Sequence, residues 1–201
     1  MNQPIFIETV RLNNGLLSNL RYHNHRLNQT RKAHFETTEP WELSELIHLP
    51  ERCQNGLFKC RVTYGLHVEK VEFEGYEPRL VQNLRLITDD SIDYPFKYQN
   101  RARLSLLFEQ RGNADDVLIV KNGRITDTSY ANIVFWNGLQ WHTPTSCLLA
   151  GTQRARLLEE GVIWEKTIRA QDLPKYAYAR IINSMLDFET TPSIPMSNIR
   201  S

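Results

Sequence analysis

The sequence is poor in the features that mark several protein classes. It has three cysteines, Cys53, Cys60 and Cys147, an odd number without a C-x-x-C pair. This argues against a disulfide framework and against a zinc site, and it fits a reducing cytoplasm. His23 and His25 stand two residues apart, a spacing that points them to different sides of a helix, so no metal site is expected. No apolar run approaches the roughly 20 residues that a membrane span needs. The opening MNQPIFIETV lacks the basic region and long apolar stretch of a signal peptide. Neither sign of charge dominates: 24 Lys and Arg face 23 Asp and Glu. Nothing therefore draws the chain toward nucleic acid or an anionic membrane, and no basic stripe alternates with aromatics. G-x-G-x-x-G and regular strand–helix alternation are both missing, which excludes a doubly wound dinucleotide fold. No repeat or low-complexity segment is evident.

What remains is a 201-residue chain with 41% hydrophobic residues, enough to bury a core in one large domain or two small lobes. IFIETVRL reads as a strand, ended by the turn signal Asn13–Gly15. Leu20, Leu27 and Phe35 space a surface helix over Leu20–Phe35, and EPWELSELI suggests a second, short one. LFKCRVTYG alternates and pairs with HVEKVEFEGY as a hairpin through Gly65. The polar stretch Pro78–Asn83 separates a small first lobe, 1–82, from a larger strand-rich lobe, 83–201. In the second lobe LRLIT is a strand and a helix runs from about Asn100 to Gln110. The Asn-Gly pairs at 122–123 and 137–138 read as hairpin turns. A helix starts near Gly151–Thr152, and VIWEKTI and YARIINSML are further strands. The class is α+β.

Five places carry chemistry if they act together. Lys97, in DYPFKYQNRARL, is a lysine beside aromatics ahead of a helix. Gly151 and Thr152 open a helix, whose free N–H groups and hydroxyl suit an anion. Ser184, in I-N-S-M after a strand, offers a second hydroxyl. Arg26, in HNHRL, can supply a guanidinium to a dianion. Asp127, in RITDTSYANIVF, is a carboxylate where a strand favours Thr or Val. Each also has an ordinary reading: a solvated lysine, a helix cap, a strand-end serine, a solvated helix face, a turn.

In their order and spacing these motifs resemble the class IV aminotransferases, the fold-type IV enzymes of pyridoxal 5′-phosphate, from about Phe6 to Pro195. The resemblance implies a two-lobed D-amino acid aminotransferase-like fold. It gives Lys97 as the lysine that joins the cofactor as an imine and then moves protons at the substrate carbon. Such an amine must be partly deprotonated, so its surroundings have to depress its pKa. By the same resemblance Arg26, Thr152 and Ser184, with Gly151 and Asn183 beside them, hold the cofactor phosphate. Asp127 takes the place of the family's glutamate at the pyridine nitrogen, one methylene short. Arg61, in CRVTY, is a candidate for a substrate carboxylate.

K-Y-Q-N-R looks more like the lyase form of the family than the aminotransferase forms. The expectation is a cytoplasmic homodimer acting on a small amine substrate. It would resemble 4-amino-4-deoxychorismate lyase of folate biosynthesis, releasing pyruvate and 4-aminobenzoate. The alternatives are an amino acid aminotransferase of branched-chain or D-amino acid type, and a cofactor-binding relative that has lost catalysis.

Overall fold

A computed structural model describes residues 3–37 and 39–200. They form two compact units, Met1–Pro78 with Phe96–Asn100, and Arg79–Pro95 with Arg101–Ser201. The division differs from the expected 82/83 boundary in one consequential respect: Lys97 belongs to the first unit.

The first unit is an antiparallel sheet under one long helix. Its elements are β1 (Phe6–Asn13), β2 (Leu16–Leu17), α1 (Leu20–Phe35), α2 (Leu43–Leu46), β3 (Leu57–Tyr64) and β4 (Val68–Gly75), with strands in the order β2-β1-β3-β4. Phe6, Val10, Leu27, Leu43, Cys60, Val62 and Tyr64 share its core. β2 covers only Leu12 and Asn13 of β1, so the other end of that edge is open. Phe96–Asn100 fills it. Ile7 donates its N–H to the Lys97 carbonyl at 2.9 Å, Gln99 donates to Ile5 at 2.8 Å, and Tyr98 bridges Phe6. Unpaired strand edges are costly to leave open, and this return of the chain satisfies one.

The second unit holds two sheets. One runs β13-β5-β6-β7 and comprises β5 (Leu84–Thr88), β6 (Asp116–Lys121), β7 (Arg124–Thr128) and β13 (Ile199–Arg200). The other runs β10-β9-β8-β11-β12 and comprises β8 (Asn132–Trp136), β9 (Trp141–Pro144), β10 (Ile163–Lys166), β11 (Tyr178–Ile182) and β12 (Ile194–Pro195). The helices are α3 (Ala102–Glu109) and α4 (Thr152–Glu159). Leu84, Leu118, Ile125, Ile133, Phe135 and Ile181 lie in one core cluster.

The two Asn-Gly pairs fold differently. Asn122 and Gly123 have φ of 50° and 71°, the left-handed pair of a tight hairpin turn joining β6 to β7. Asn137 and Gly138 instead open a loop of residues 137–140. Here the Asn137 side-chain oxygen accepts the N–H groups of Leu139 and Gln140, both at 2.9 Å, beside the backbone bond from Asn137 N–H to the Gln140 carbonyl at 3.3 Å. YARIINSML stops as a strand at Ile182, because Asn183 turns the chain there.

Candidate active site

On β1, alternation sends Phe6, Glu8, Val10 and Leu12 toward one face. Three of these are apolar and fully buried, and so is Glu8. α1 presents His23, Arg26 and Leu27 on one side, three and four residues apart. Glu8 accepts from Arg26 Nε at 2.9 Å and Nη2 at 2.6 Å, and from His23 Nδ1 at 2.6 Å. Burial pushes the Glu8 carboxyl up. The Arg26 charge and the bonds from His23 and Arg26 outweigh it and leave the pKa at about 2. Glu8 is thus ionised, and His23 must be the donor in their bond. Burial lowers the His23 pKa; Glu8 opposes this, while the Arg26 and Lys97 charges add to it. Lys97 therefore stands close enough to this buried group for its charge to act. The Arg26 side chain is only 14% exposed, so it is not the solvated helix-face residue of the ordinary reading.

Sequence reasoning missed Glu8 and His23. The signal was present: a carboxylate in the inward stripe of an alternating strand must find a buried cation. Arg61 lies half-buried on β3, and its Nε is buried without a hydrogen-bond partner.

The second unit gathers the other expected residues around Asn132, which also went unrecognised. Asn132 opens β8 and sits opposite Ile182, the last residue of β11, so Asn183 and Ser184 follow directly beside it. Its amide nitrogen donates to Asp127 Oδ1 and to the Leu149 carbonyl, both at 2.8 Å. Its amide oxygen lies against Gly151: a Cβ there would come within 2.0 Å of it. Only glycine fits at this position.

Gly151 is the cap residue of α4 and makes no side-chain cap bond, so no side chain of the cap covers the first amides of the helix. Thr152 begins the helix and is 3% exposed. Asn183 uses its side-chain oxygen to accept Met185 N–H at 2.9 Å, which shapes the turn that carries Ser184.

Asp127 lies on β7 and is buried. Oδ1 accepts from Asn132, and Oδ2 accepts from the backbone N–H groups of Leu148 and Leu149 at 2.9 and 3.0 Å. Burial raises its pKa to about 6; these three donors and the Arg154 charge hold it from rising further. The turn role is real, since Asp127 ties down the segment ahead of α4. A carboxylate has about four acceptor positions, so one position on Oδ1 remains beyond these three donors.

Residues 95–189 match the family model for amino-transferase class IV. An uncharacterized protein of Haemophilus influenzae is 35% identical over 184 residues, 90% of this chain and 97% of its own length. A crystal structure of a candidate 4-amino-4-deoxychorismate lyase from Haemophilus somnus superimposes with a TM-score of 0.86 at 31% identity. That match covers 92% of this chain and 98% of the other. The chain belongs to the class IV aminotransferase family. Its fold is that of the fold-type IV enzymes: the branched-chain amino acid aminotransferase of Escherichia coli matches with a TM-score of 0.71 at 14% identity, over 95% of this chain and 75% of its own.

Membership makes this a pyridoxal-phosphate-dependent enzyme, and the second unit can be tested for fit to that cofactor. A phosphate needs several donors around a positive end, and the start of α4 with the Thr152 hydroxyl is of that kind. A protonated pyridine needs a carboxylate with an unused acceptor position. Asp127 has one, and burial raises its pKa to about 6.

Proposed function

We propose that this class IV enzyme is a lyase of the 4-amino-4-deoxychorismate type, releasing pyruvate and 4-aminobenzoate. The observation that carries the reading is the match to the Haemophilus somnus lyase candidate, at 31% identity over 98% of that chain. The K-Y-Q-N-R context of Lys97 supports it. A small amine-bearing substrate, a homodimeric assembly and a cytoplasmic location belong to the same proposal.

Pyridoxal 5′-phosphate, when bound, supplies an electron sink for the carbon that bears the substrate nitrogen. In the first unit, Lys97 is the residue that carries the cofactor and then takes and returns a proton at that carbon. Arg26 contributes charge to the phosphate, held in place by Glu8. In the second unit, Thr152, Ser184 and the first amides of α4 take phosphate oxygens. Gly151 lets the chain pass Asn132, and Asn183 shapes the turn. Asp127 keeps a proton on the pyridine nitrogen by meeting it with a negative charge. Arg61, with its orphaned Nε, is the candidate for a substrate carboxylate.

The reading is tested by giving purified, cofactor-loaded protein 4-amino-4-deoxychorismate and measuring pyruvate and 4-aminobenzoate. Equimolar release of both supports it. Amino transfer from an amino acid to a 2-oxo acid, with no pyruvate released, replaces it with an aminotransferase. A bound cofactor with neither activity identifies a relative that has lost catalysis.

A further inference from the structure

At the edge of the second unit, Arg85 on β5 stands directly opposite Arg200 on β13 in a parallel pair. Like charges set side by side on neighbouring strands destabilise the pairing, and β13 is only two residues long. A third arginine, Arg111, lines the same cavity of about 460 Å³, with Asn83, Asn113 and Asn198. Among the described residues, no carboxylate lines it.

The three guanidinium groups are fixed by neutral partners. Arg85 Nη1 donates to the Gln110 carbonyl at 3.0 Å. Arg111 Nη1 donates to the Phe108 carbonyl at 3.2 Å, and the guanidinium stacks 4.0 Å from the Phe108 ring. Arg200 Nε donates to the Ser197 carbonyl at 3.1 Å. These contacts orient the forks without cancelling their charge. The neighbouring carboxylate, Asp115, is turned to the backbone N–H groups of Gln82 and Asn83, at 2.8 and 3.1 Å. Elsewhere in this unit Arg79, Arg103, Arg154 and Arg156 each meet a carboxylate. Gly112, at φ 61°, brings the loop against Arg85: a Cβ there would lie 3.3 Å from Nη1.

We propose that this pocket is a binding site for a phosphate-class anion carrying two or more negative charges, such as a polyphosphate or a phosphorylated small molecule. Three oriented forks with N–H groups to spare match phosphoryl oxygens. The anion would relieve the Arg85–Arg200 repulsion and hold the last strand on the sheet. The site does not depend on which reaction the enzyme performs.

The test is calorimetric titration of cofactor-loaded protein with pyrophosphate at an ionic strength held constant with potassium chloride. The expected dissociation constant is below about 1 mM. Combined Arg85→Ala and Arg111→Ala should weaken it at least tenfold, whereas Thr152→Ala should leave it unchanged, which separates this pocket from the cofactor phosphate site. If the double variant does not fold, Arg200→Ala at the sheet edge takes its place, with the same loss expected. Absence of pyrophosphate binding, or binding that survives the arginine substitutions, overturns the proposal. So does a short single-stranded oligonucleotide that binds through these arginines where pyrophosphate does not.

Discussion

Glu8 grips Arg26 through both carboxylate oxygens, at 2.9 and 2.6 Å, from a position wholly closed to water. A buried carboxylate this well paired is a source of stability that acid removes. Its pKa lies at about 2 against an ordinary 4.5, so its stabilisation is complete above pH 4.5 and is lost as pH falls from 4.5 to 2. The span corresponds to about 3 kcal/mol. Glu8→Gln keeps the shape but strands the Arg26 charge, and should lower unfolding free energy at pH 7 by about 3 kcal/mol. Urea titrations of both proteins across that pH range check this. A variant with the same acid slope as the native chain would remove Glu8 from the account.

Asp127 should show the opposite slope. Its pKa is raised from 3.8 to about 6, so the folded state binds the proton more tightly than the unfolded one. Stability from this group is greatest below pH 3.8 and falls as pH rises to 6, by about 3 kcal/mol in all. Loading the cofactor should flatten that decline, because a pyridinium beside Oδ1 favours the carboxylate. Asp127→Asn should abolish it in both forms. Equal slopes for loaded and cofactor-free native protein would show that Asp127 meets no pyridinium.

Gly151→Ala places a methyl group 2.0 Å from the Asn132 oxygen and 3.2 Å from its amide carbon. Asn132 cannot yield without releasing Asp127 and the Leu149 carbonyl. The expected cost is about 2–3 kcal/mol of stability. Cofactor affinity should also drop at least tenfold, since the same shift moves the start of α4. Denaturant unfolding and the absorbance of bound cofactor measure the two effects. Unchanged values in both would mean that Asn132 swings aside without consequence.

Much of this was legible in the sequence because its signals are local. Leu20–Phe35 forms the expected helix, the Asn122–Gly123 hairpin closes as its dipeptide demands, and the order of motifs identifies the family. What escaped depends on contacts distant along the chain. β13 exists only because Ile199 and Arg200 find the edge of β5. Lys97 joins the first unit because β2 leaves part of β1 unpaired, which no pattern near residue 97 records. Asn132 looks like any strand-opening polar residue until Asp127, Leu149 and Gly151 close around it. Glu8 was the exception, readable from its place in the stripe of Phe6, Val10 and Leu12.

Lys97 should be the residue that borohydride ties to the cofactor. Its backbone is anchored to β1 through Ile7 and is followed by the Tyr98–Phe6 bridge, so the amine starts from a fixed point. Two other lysines make contacts of their own. Lys121 Nζ donates to the Ile92 carbonyl and lies 4.0 Å from Asp93, and Lys59 pairs with Glu74 at 2.7 Å. Reduction of the loaded protein followed by peptide mapping should place the label on Lys97. Lys97→Ala should still bind cofactor through Thr152, Ser184 and the start of α4, but the bound cofactor should remain unlinked and wash out on dialysis after reduction. A label on Lys121, or a Lys97→Ala protein that still becomes covalently labelled, would transfer the role to another amine.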